Sequence, residues 1–394
     1  MTSGTVDLAR RWGPSTAATV AWLLAVVALG LGGRVVEHGE SALTMLFGSF
    51  LAGSSPEGGG AVAFPVFTKG LGVPAPVART FGLSIQAVGM MMASLAIIVA
   101  GRPFHRRAVV VGTIAAVAGF LGAVALLGRS EEPFWPPIVS TPVIKATFSI
   151  VLATTSFLML RQLRLHRGVD HRADRSFDEP PGAWTRSTDA ALVGVAAAGG
   201  ALSALTGTGA NIVVFLFLVV VIGVLPKTAL PSAIMVMAAV SVVGFVLFVL
   251  VDGQFDLVLV DDRVVAVAGQ PVDLAVGSGD LLGLWLAAVP VVVWGAPLGS
   301  LAASLVREHH LVRFVALLAA VEVATTVVLV PELRSDPALL AYLVLGLLTL
   351  PALFVAAARF RRRAVEATDA ANPSRRVRNG NGSPGSPPSP PTTG

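Results

Sequence analysis

The amino-acid sequence predicts an all-α polytopic membrane protein of about 10–12 transmembrane helices or half-helices in two inverted repeats, with a small external β-hairpin. Three observations predict this class. The composition suits lipid rather than water, since 54% of the 394 residues are hydrophobic, 13% are charged and the mean hydropathy is +0.79. Apolar stretches of about 17–25 residues recur from end to end. One pattern of glycines and prolines occurs in each half.

The apolar stretches are long enough to cross, fully or in part, about 30 Å of hydrocarbon at about 1.5 Å per helical residue. The predicted spans are 16–32, 41–53, 59–72, 77–100, 107–127, 141–163, 188–205, 209–225, 228–251, 281–305, 311–330 and 338–358. Four of them are short and form two adjacent pairs, 41–53 with 59–72 and 188–205 with 209–225. Each pair either crosses the membrane twice or enters and returns, and the topology beyond the pair is the same in both cases.

Basic residues mark one side of the predicted membrane. They cluster around positions 10–11, 102–107, 161–186, 227, 307–313 and 359–363, whereas the alternate loops are acidic. Basic loops stay in the cytoplasm, so we expect an even number of crossings, both termini cytoplasmic and a multi-pass protein of the plasma membrane. Arg34 and Glu37 follow the first span where a cleavage site would need small residues, which favours a retained anchor over a cleaved signal.

Several classes of protein are excluded or disfavoured by composition. The formal charge of +5 does not indicate nucleic-acid binding, because segment 359–378 holds seven arginines and two acidic residues directly after a span. The sequence has no cysteine, which excludes disulfides and thiolate chemistry. Its six histidines fall in loops without metal-ligand spacing, and no Ser or Thr has a nearby His or Asp partner. We therefore expect no enzyme activity, no cofactor and no metal.

The predicted organisation follows the spans. The segments are 1–40 (tail and extra span), 41–163 (first repeat), 164–187 (cytoplasmic linker), 188–330 (second repeat), 331–363 (extra span) and 364–394 (disordered tail). The second repeat contains an external insert, 252–279, in which FDLVLV and VVAVAG alternate around a polar turn. A period of two predicts a β-hairpin there, with a solvated loop as the alternative.

The internal repeat has a separation of 151 residues. Glycines and an alanine coincide under this shift: Gly58 with Gly209, Gly72 with Gly223, and Ala78 with Ala229. Each copy has a glycine-rich break, an apolar run, Gly-Val, a proline and an alanine that opens the next long span. Five predicted passes lie between the two breaks. An odd number places equivalent elements in opposite orientations, which is the inverted plan of many secondary transporters.

The two glycine-rich breaks form the predicted binding site; we call residues 54–60 the first break and residues 206–211 the second break. Glycine can interrupt a helix at membrane depth and leave backbone N–H groups without a partner in lipid. Such groups at the positive end of a helix dipole bind anions, and neutral side chains add donors. The candidate residues are Ser54, Ser55, Gly58, Gly59, Gly60, Thr206, Gly207, Thr208, Gly209 and Asn211. The expected partners are a small anion and the lipid bilayer, and the sequence leaves the oligomeric state open.

At these residues the chain resembles the TauE/SafE family of sulfite and organosulfur-anion exporters. The first copy reads EGGGAVAFPVFTKGLGVPAPVARTFGLS and the second GTGANIVVFLFLVVVIGVLPKTALPS. In the second copy Asn211 stands for a glycine, Pro231 occupies the position of Thr80, and Ser232 is the small polar residue that follows. The resemblance covers residues 41–330. It implies transport of a small anion, with export of sulfite, a sulfonate or a related organosulfur anion expected.

Two acidic residues are candidates for proton coupling. Glu57, in the first break, would relieve its repulsion of an anion by taking up a proton; a helix-end cap is the alternative. Glu322 lies near the centre of span 311–330, where a lone charge costs at least about 2.5 kcal/mol, so it should face a cavity or a partner. Lys145 could be that partner, or its ammonium could instead reach the membrane interface.

Further polar residues flank the breaks. Thr80, Ser84 and Gln86 open the span after the first break and are predicted either to complete the site or to bond between helices. Lys69, Arg79 and Lys227 either attract anions or anchor the chain at the interface. A cation or amino-acid transporter or channel of the same plan is the nearest alternative function. A scaffold and an embedded enzyme are the other classes, disfavoured by the paired breaks and by the scattered hydroxyls.

Overall fold

A computed structural model describes residues 3–127, 139–165, 184–260, 263–266, 280–305 and 308–371. Its helices are α1 (Ser3–Ala28), α2 (Gly32–Glu37), α3 (Gly39–Ser54), α4 (Gly60–Pro65), α5 (Ala75–Val99), α6 (Arg106–Leu126), α7 (Thr141–Leu165), α8 (Arg186–Thr206), α9 (Ala210–Leu216), α10 (Pro226–Phe245), α11 (Leu281–Leu305), α12 (Glu308–Leu329), α13 (Glu332–Ser335) and α14 (Pro337–Ala371). Three π-helical turns extend α4, α9 and α10: Val66–Gly70, Phe217–Ile222 and Val246–Val251.

The helices confirm the predicted all-α polytopic class. Within the described ranges, eight are long and apolar enough to cross a membrane, and Trp12–Ala28 and Ala210–Ile222 are shorter apolar helices. A helix satisfies its own backbone groups, which lipid requires. In the insert, β1 (Leu257–Val260) pairs antiparallel with β2 (Arg263–Ala266). Residues 267–279 of the insert lie outside the described part.

Two segments depart from the expected boundaries. Helix α14 continues to Ala371, so the predicted tail is helical at its start, because the alanine-rich and charged sequence after the span continues the helix. Residues 372–394 of that tail lie outside the described part, as do residues 166–183 of the predicted linker. The first span ends at Ala28, ahead of a turn in which Gly30 has a φ of 67°.

The short span pairs are hairpins that enter the bundle and return to the same end. The first hairpin (39–70) begins beside Asp280, where His38 Nε2 lies 3.1 Å from the Asp280 carboxylate at the start of α11. It returns through residues 71–74 to the start of α5. Helix α5 runs parallel to α11, since Trp285 contacts Ser84 near one end and Arg102 contacts Ser300 near the other. We call this end of the bundle the Asp280 end.

The second hairpin (186–222) belongs to the opposite end of the bundle. Asp189, in the first turn of α8, pairs with Arg107 at the start of α6. The returning segment leads into α10, whose Ser232 hydroxyl accepts a 2.8 Å hydrogen bond from the backbone of His105. We call this the Arg107 end. The two hairpins therefore point toward each other from opposite ends.

Each hairpin is held by a long helix of the other half. Helix α3 packs along α11, and α8 packs along α6, while α5 faces α10 and α7 faces α12. The two hairpin contacts are equivalent in detail because glycine allows the backbones to touch. A Cβ at Gly53 would meet the backbone oxygen of Ala296, and one at Gly200 would meet that of Ala116. Small residues are the usual means of close helix approach in lipid.

A polar cluster fixes the first hairpin at the Asp280 end, outside the spans. His38 contacts both Asp280 and Glu40, and Arg34 lies 3.9 Å from Asp280. Burial disfavours the charged His38, but its hydrogen bond and attraction to Asp280 outweigh burial and raise its pKa. For Asp280, burial acts upward on the pKa, yet the His38 contact and the Gly283 N–H lower it on balance. The cluster thus joins the start of α3 to the start of α11.

Because the α8–α6 contact has no room for a side chain, we expect Gly200→Ala to lower the free energy of unfolding by about 1–3 kcal/mol. Gly194→Ala is the matched control, since a Cβ at Gly194, on the same helix, meets nothing within 4 Å. Thermal unfolding of the purified protein in detergent measures both. Equal melting temperatures for the two variants would contradict the close packing of α8 against α6.

Candidate functional site

The two breaks interrupt the hairpins at their tips. In the first break, α3 ends at Ser54 and α4 begins at Gly60, with Gly58 at a φ of 71°. In the second break, α8 ends at Thr206, and Gly207 and Gly209 have φ angles of 79° and 148°. Residues other than glycine rarely adopt these φ angles, so the glycines determine where the helices stop. Each break reverses the chain within the bundle.

The tips of the hairpins touch. A Cβ on Gly60 would lie 3.1 Å from the Thr208 methyl group, and one on Gly58 would lie 3.0 Å from Asn211 Nδ2. All the predicted residues of both breaks are buried. The predicted convergence of the breaks is therefore present as contact between their buried backbones and side chains.

One face of α5 runs along both breaks. Gln86 Nε2 donates a 2.9 Å hydrogen bond to the Gly207 carbonyl, and Gly82 lies against the same residue. One helical turn earlier, the Arg79 backbone packs on Gly207, and one turn later Met90 reaches Gly58. The i, i+3, i+7 and i+11 spacing places these four residues on one side of the helix. That spacing was the sequence signal for Met90, which the prediction did not include.

The second break satisfies much of its own backbone. Ser203 Oγ accepts the Ala210 N–H at 2.8 Å, and Asn211 Oδ1 accepts the Gly209 N–H at 3.3 Å. The Thr206 hydroxyl donates to the Thr208 carbonyl at 2.6 Å. Ser203 was not predicted, because only the folded break brings its hydroxyl to a residue seven positions later. This network leaves the Asn211 amide nitrogen directed toward the first break.

The first break is less satisfied. Its backbone N–H groups at Gly59 and Gly60 find no acceptor in the described part of the chain. The Ser54 hydroxyl and Asn211 Nδ2, at least 98% buried, also have no hydrogen-bond partner there. Buried donors of this kind are costly unless a ligand or water completes them. The two breaks thus contain four buried donors, none of them charged, of which Asn211 Nδ2 lies beside Gly58.

Glu57 lies in the first break and is 1% exposed. No described Lys, Arg or His forms an ion pair with its carboxylate, both of whose oxygens are buried. An unpaired buried carboxylate is costly in the charged form. This side chain is the acidic group of the site.

The remaining predicted residues are bonded locally. Ser55 donates to Leu51, Ser84 to Thr80, and Ser232 to Thr228, in each case to the backbone oxygen four residues earlier. The Thr80 hydroxyl accepts from Arg79 at 3.3 Å. Ser232 also contacts His105 at the Arg107 end, away from the breaks. The structure therefore brings Gln86, Asn211, Gly58 and Gly207 together, whereas Ser232 stands apart.

Glu322 has Lys69 as its partner. Lys69 Nζ lies 2.6 Å from Glu322 Oε1 and 2.6 Å from the Thr326 hydroxyl, and Ser149 donates to Glu322 at 3.0 Å. Lys145, the partner considered from the sequence, has its ammonium 3.5 Å from the Thr68 carbonyl instead. Sequence distance gives no signal for the Lys69 pair, because the first hairpin reaches α12 only in the folded bundle. The pair ties the first hairpin to α7 and α12.

The fold and the paired breaks define a multi-pass membrane protein with the architecture of a transporter. Comparison with known families matches residues 41–327 to the family described as sulfite exporter TauE/SafE. The chain therefore belongs to the TauE/SafE family of membrane transporters, as the resemblance of its two copies implied. Searches of curated proteins and of solved structures gave no match.

Replacing one partner of the Lys69–Glu322 pair should leave the other as an unpaired buried charge. We expect Lys69→Met alone to lower the free energy of unfolding by about 3–5 kcal/mol, and Lys69→Met combined with Glu322→Met to recover most of that loss. Thermal unfolding in detergent measures both. Lys145→Met is the control and should stay near the wild-type value; a larger loss there than for Lys69→Met would contradict the assigned pairing.

Proposed function

We propose that this protein moves a small anion across the plasma membrane, with sulfite, a sulfonate or a related organosulfur anion as the substrate and export as the direction. The observation that carries the proposal is the contact between the two breaks, which contain buried neutral donors without a hydrogen-bond partner in the described part of the chain. Membership of the sulfite exporter family supports the class of substrate. Basic loops at the Arg107 end support a cytoplasmic location for that end and for both termini.

In this proposal the first break supplies most of the ligands. The N–H groups of Gly59 and Gly60 stand at the start of a continuous helical segment that runs to Gly70, so the helix dipole adds to their attraction for an anion. Ser54 and Asn211 donate from the sides. Hydrogen bonds to a charged partner are about twice as strong as neutral ones, and burial in apolar surroundings increases them further.

Alternating access is the proposed mechanism. The residues of the breaks are buried, and the hairpins that carry them enter from opposite ends. Movement of the first hairpin would open a path to the Asp280 end, and movement of the second would open one to the Arg107 end. Inverted repeats allow the two open states to be related by symmetry around a fixed site. The close contacts of α3 with α11 and of α8 with α6 are the surfaces along which this movement would occur.

Glu57 is the proposed proton-coupling residue, in preference to Glu322. Glu322 already has a cationic partner in Lys69, whereas no described cation pairs with Glu57. A negative Glu57 would repel an anion bound at the neighbouring glycines, and a protonated Glu57 would not. Binding of a proton and binding of the anion would then favour each other, because protonation of Glu57 removes its repulsion of the anion.

The Asn211→Leu variant tests the site. It keeps the approximate volume and removes the amide donor, together with the oxygen that accepts the Gly209 N–H. We expect sulfite flux in proteoliposomes to fall at least about tenfold, which corresponds to the loss of a hydrogen bond to a charged group. The control is Ser94→Ala, whose hydroxyl bonds to the Met90 carbonyl within α5, beyond the breaks.

Size-exclusion profiles should be the same for both variants, which separates a transport defect from misfolding. Normal flux of sulfite in Asn211→Leu would refute the assigned site. Flux of Na⁺ or an amino acid, with none for sulfite, methanesulfonate or chloride, would replace the proposal with the cation or amino-acid alternative.

Glu57→Gln removes the titrating group and keeps its size. We expect sulfite flux in this variant to persist while losing its dependence on an imposed proton gradient, because no proton is then needed to neutralise the residue. Flux is measured with and without the gradient in proteoliposomes. A variant that still responds to the gradient as the wild type does would exclude Glu57 as the coupling residue.

A further inference from the structure

Arg79 is a buried cation inside the apolar bundle. It is 0% exposed and belongs to the second turn of α5, near the Asp280 end. Its guanidinium lies over the Phe248 ring, 4.6 Å from the centroid, and one amine donates to the Thr80 hydroxyl. A charge in this position has a large desolvation cost. Membrane proteins retain such charged residues mainly along ion and substrate pathways.

The position of Arg79 connects it to the breaks. On α5 it shares a face with Gly82, Gln86 and Met90, the residues that contact Gly207 and Gly58. Its own backbone packs directly on Gly207, whose added Cβ would lie 2.6 Å from the Arg79 carbonyl oxygen. Arg79 therefore packs on the second break at Gly207, about two helical turns before Gln86 and on the side of the Asp280 end.

Asp252 is a negatively charged neighbour of Arg79 on the side of the Asp280 end. It directly follows the π-helical turn Val246–Val251, whose Phe248 ring lies under the Arg79 guanidinium, and it is partly exposed. A series of polar groups thus runs from the Asp280 end toward the breaks: Asp252, Arg79, Gln86 and then the donors around Gly58. The donors at the breaks are neutral, so Arg79 is the group in this series that can offset the charge of an anion.

We propose that Arg79 is the charge-selecting residue of the transport pathway: it exchanges Asp252 for the oxygen atoms of the anion as the anion passes between the breaks and the Asp280 end. The proposal rests on the proposed function and adds its specificity. A guanidinium binds two oxygens of one group at once, as a sulfite or sulfonate head group offers and a halide does not. Asp252 competes with the substrate for the same cation.

The test measures the KM of sulfite and of chloride in proteoliposomes for full-length variants. We expect Arg79→Gln to raise the KM of sulfite at least about tenfold. Arg79→Lys keeps the charge and loses the planar fork, so it should reduce the preference for sulfite over chloride and affect chloride little. Asp252→Asn removes the competitor and should lower the KM of sulfite. Asp336→Asn, the same charge change at an exposed residue of the linker before α14, should leave it unchanged.

The KM of sulfite is expected to rise in Arg79→Gln and to fall in Asp252→Asn, so either variant can decide the test. A folded Arg79→Gln with the wild-type KM overturns the proposal. If Arg79→Gln does not fold, an unchanged or higher KM in Asp252→Asn overturns it instead. If Asn211→Leu loses sulfite flux while both Arg79 variants keep the wild-type KM, only the role of Arg79 is rejected. The proposed site at the breaks is then retained. A wild-type protein that moves none of the anions would refute the proposed function itself.

Discussion

The bilayer interior offers no water to the polypeptide backbone, and the arrangement of this protein depends on how two broken helices meet that constraint. The second break does so with its own side chains, since Ser203 and Asn211 accept its N–H groups. The first break keeps free donors and hides them against the second. The contact of Gly60 with Thr208 thus shields polar groups from lipid and, in the proposed function, keeps them for an anion.

Close helix packing places the breaks at the depth where they meet. Glycines at the α3–α11 and α8–α6 contacts remove the side chains that would otherwise hold the backbones apart. Each hairpin therefore packs on a helix of the other half, so the halves are interleaved and neither encloses the site alone. In the proposed cycle this interleaving lets a movement at one end of the bundle change access at the tip of the opposite hairpin.

The buried charges divide into different kinds. Lys69 and Glu322 neutralise each other within a network of hydroxyls, and a satisfied pair of this kind fixes helices in place. Glu57 lies within the first break, and Arg79 packs against the second break from α5. A buried charge beside the breaks can respond to a proton or a substrate, which is the basis of the roles proposed for both.

The sequence by itself determined the class and the position of both breaks. Hydrophobic length and glycine φ preferences act locally, so they can be read along the chain. The position of Gln86 in the span that follows the first break likewise made it a candidate residue. Only the tertiary structure decided that the short pairs return to the same end, that Lys69 rather than Lys145 pairs with Glu322, and that Ser232 lies away from the breaks. These facts depend on which helices touch, and residues that are distant in sequence come together only through the packing of the whole bundle.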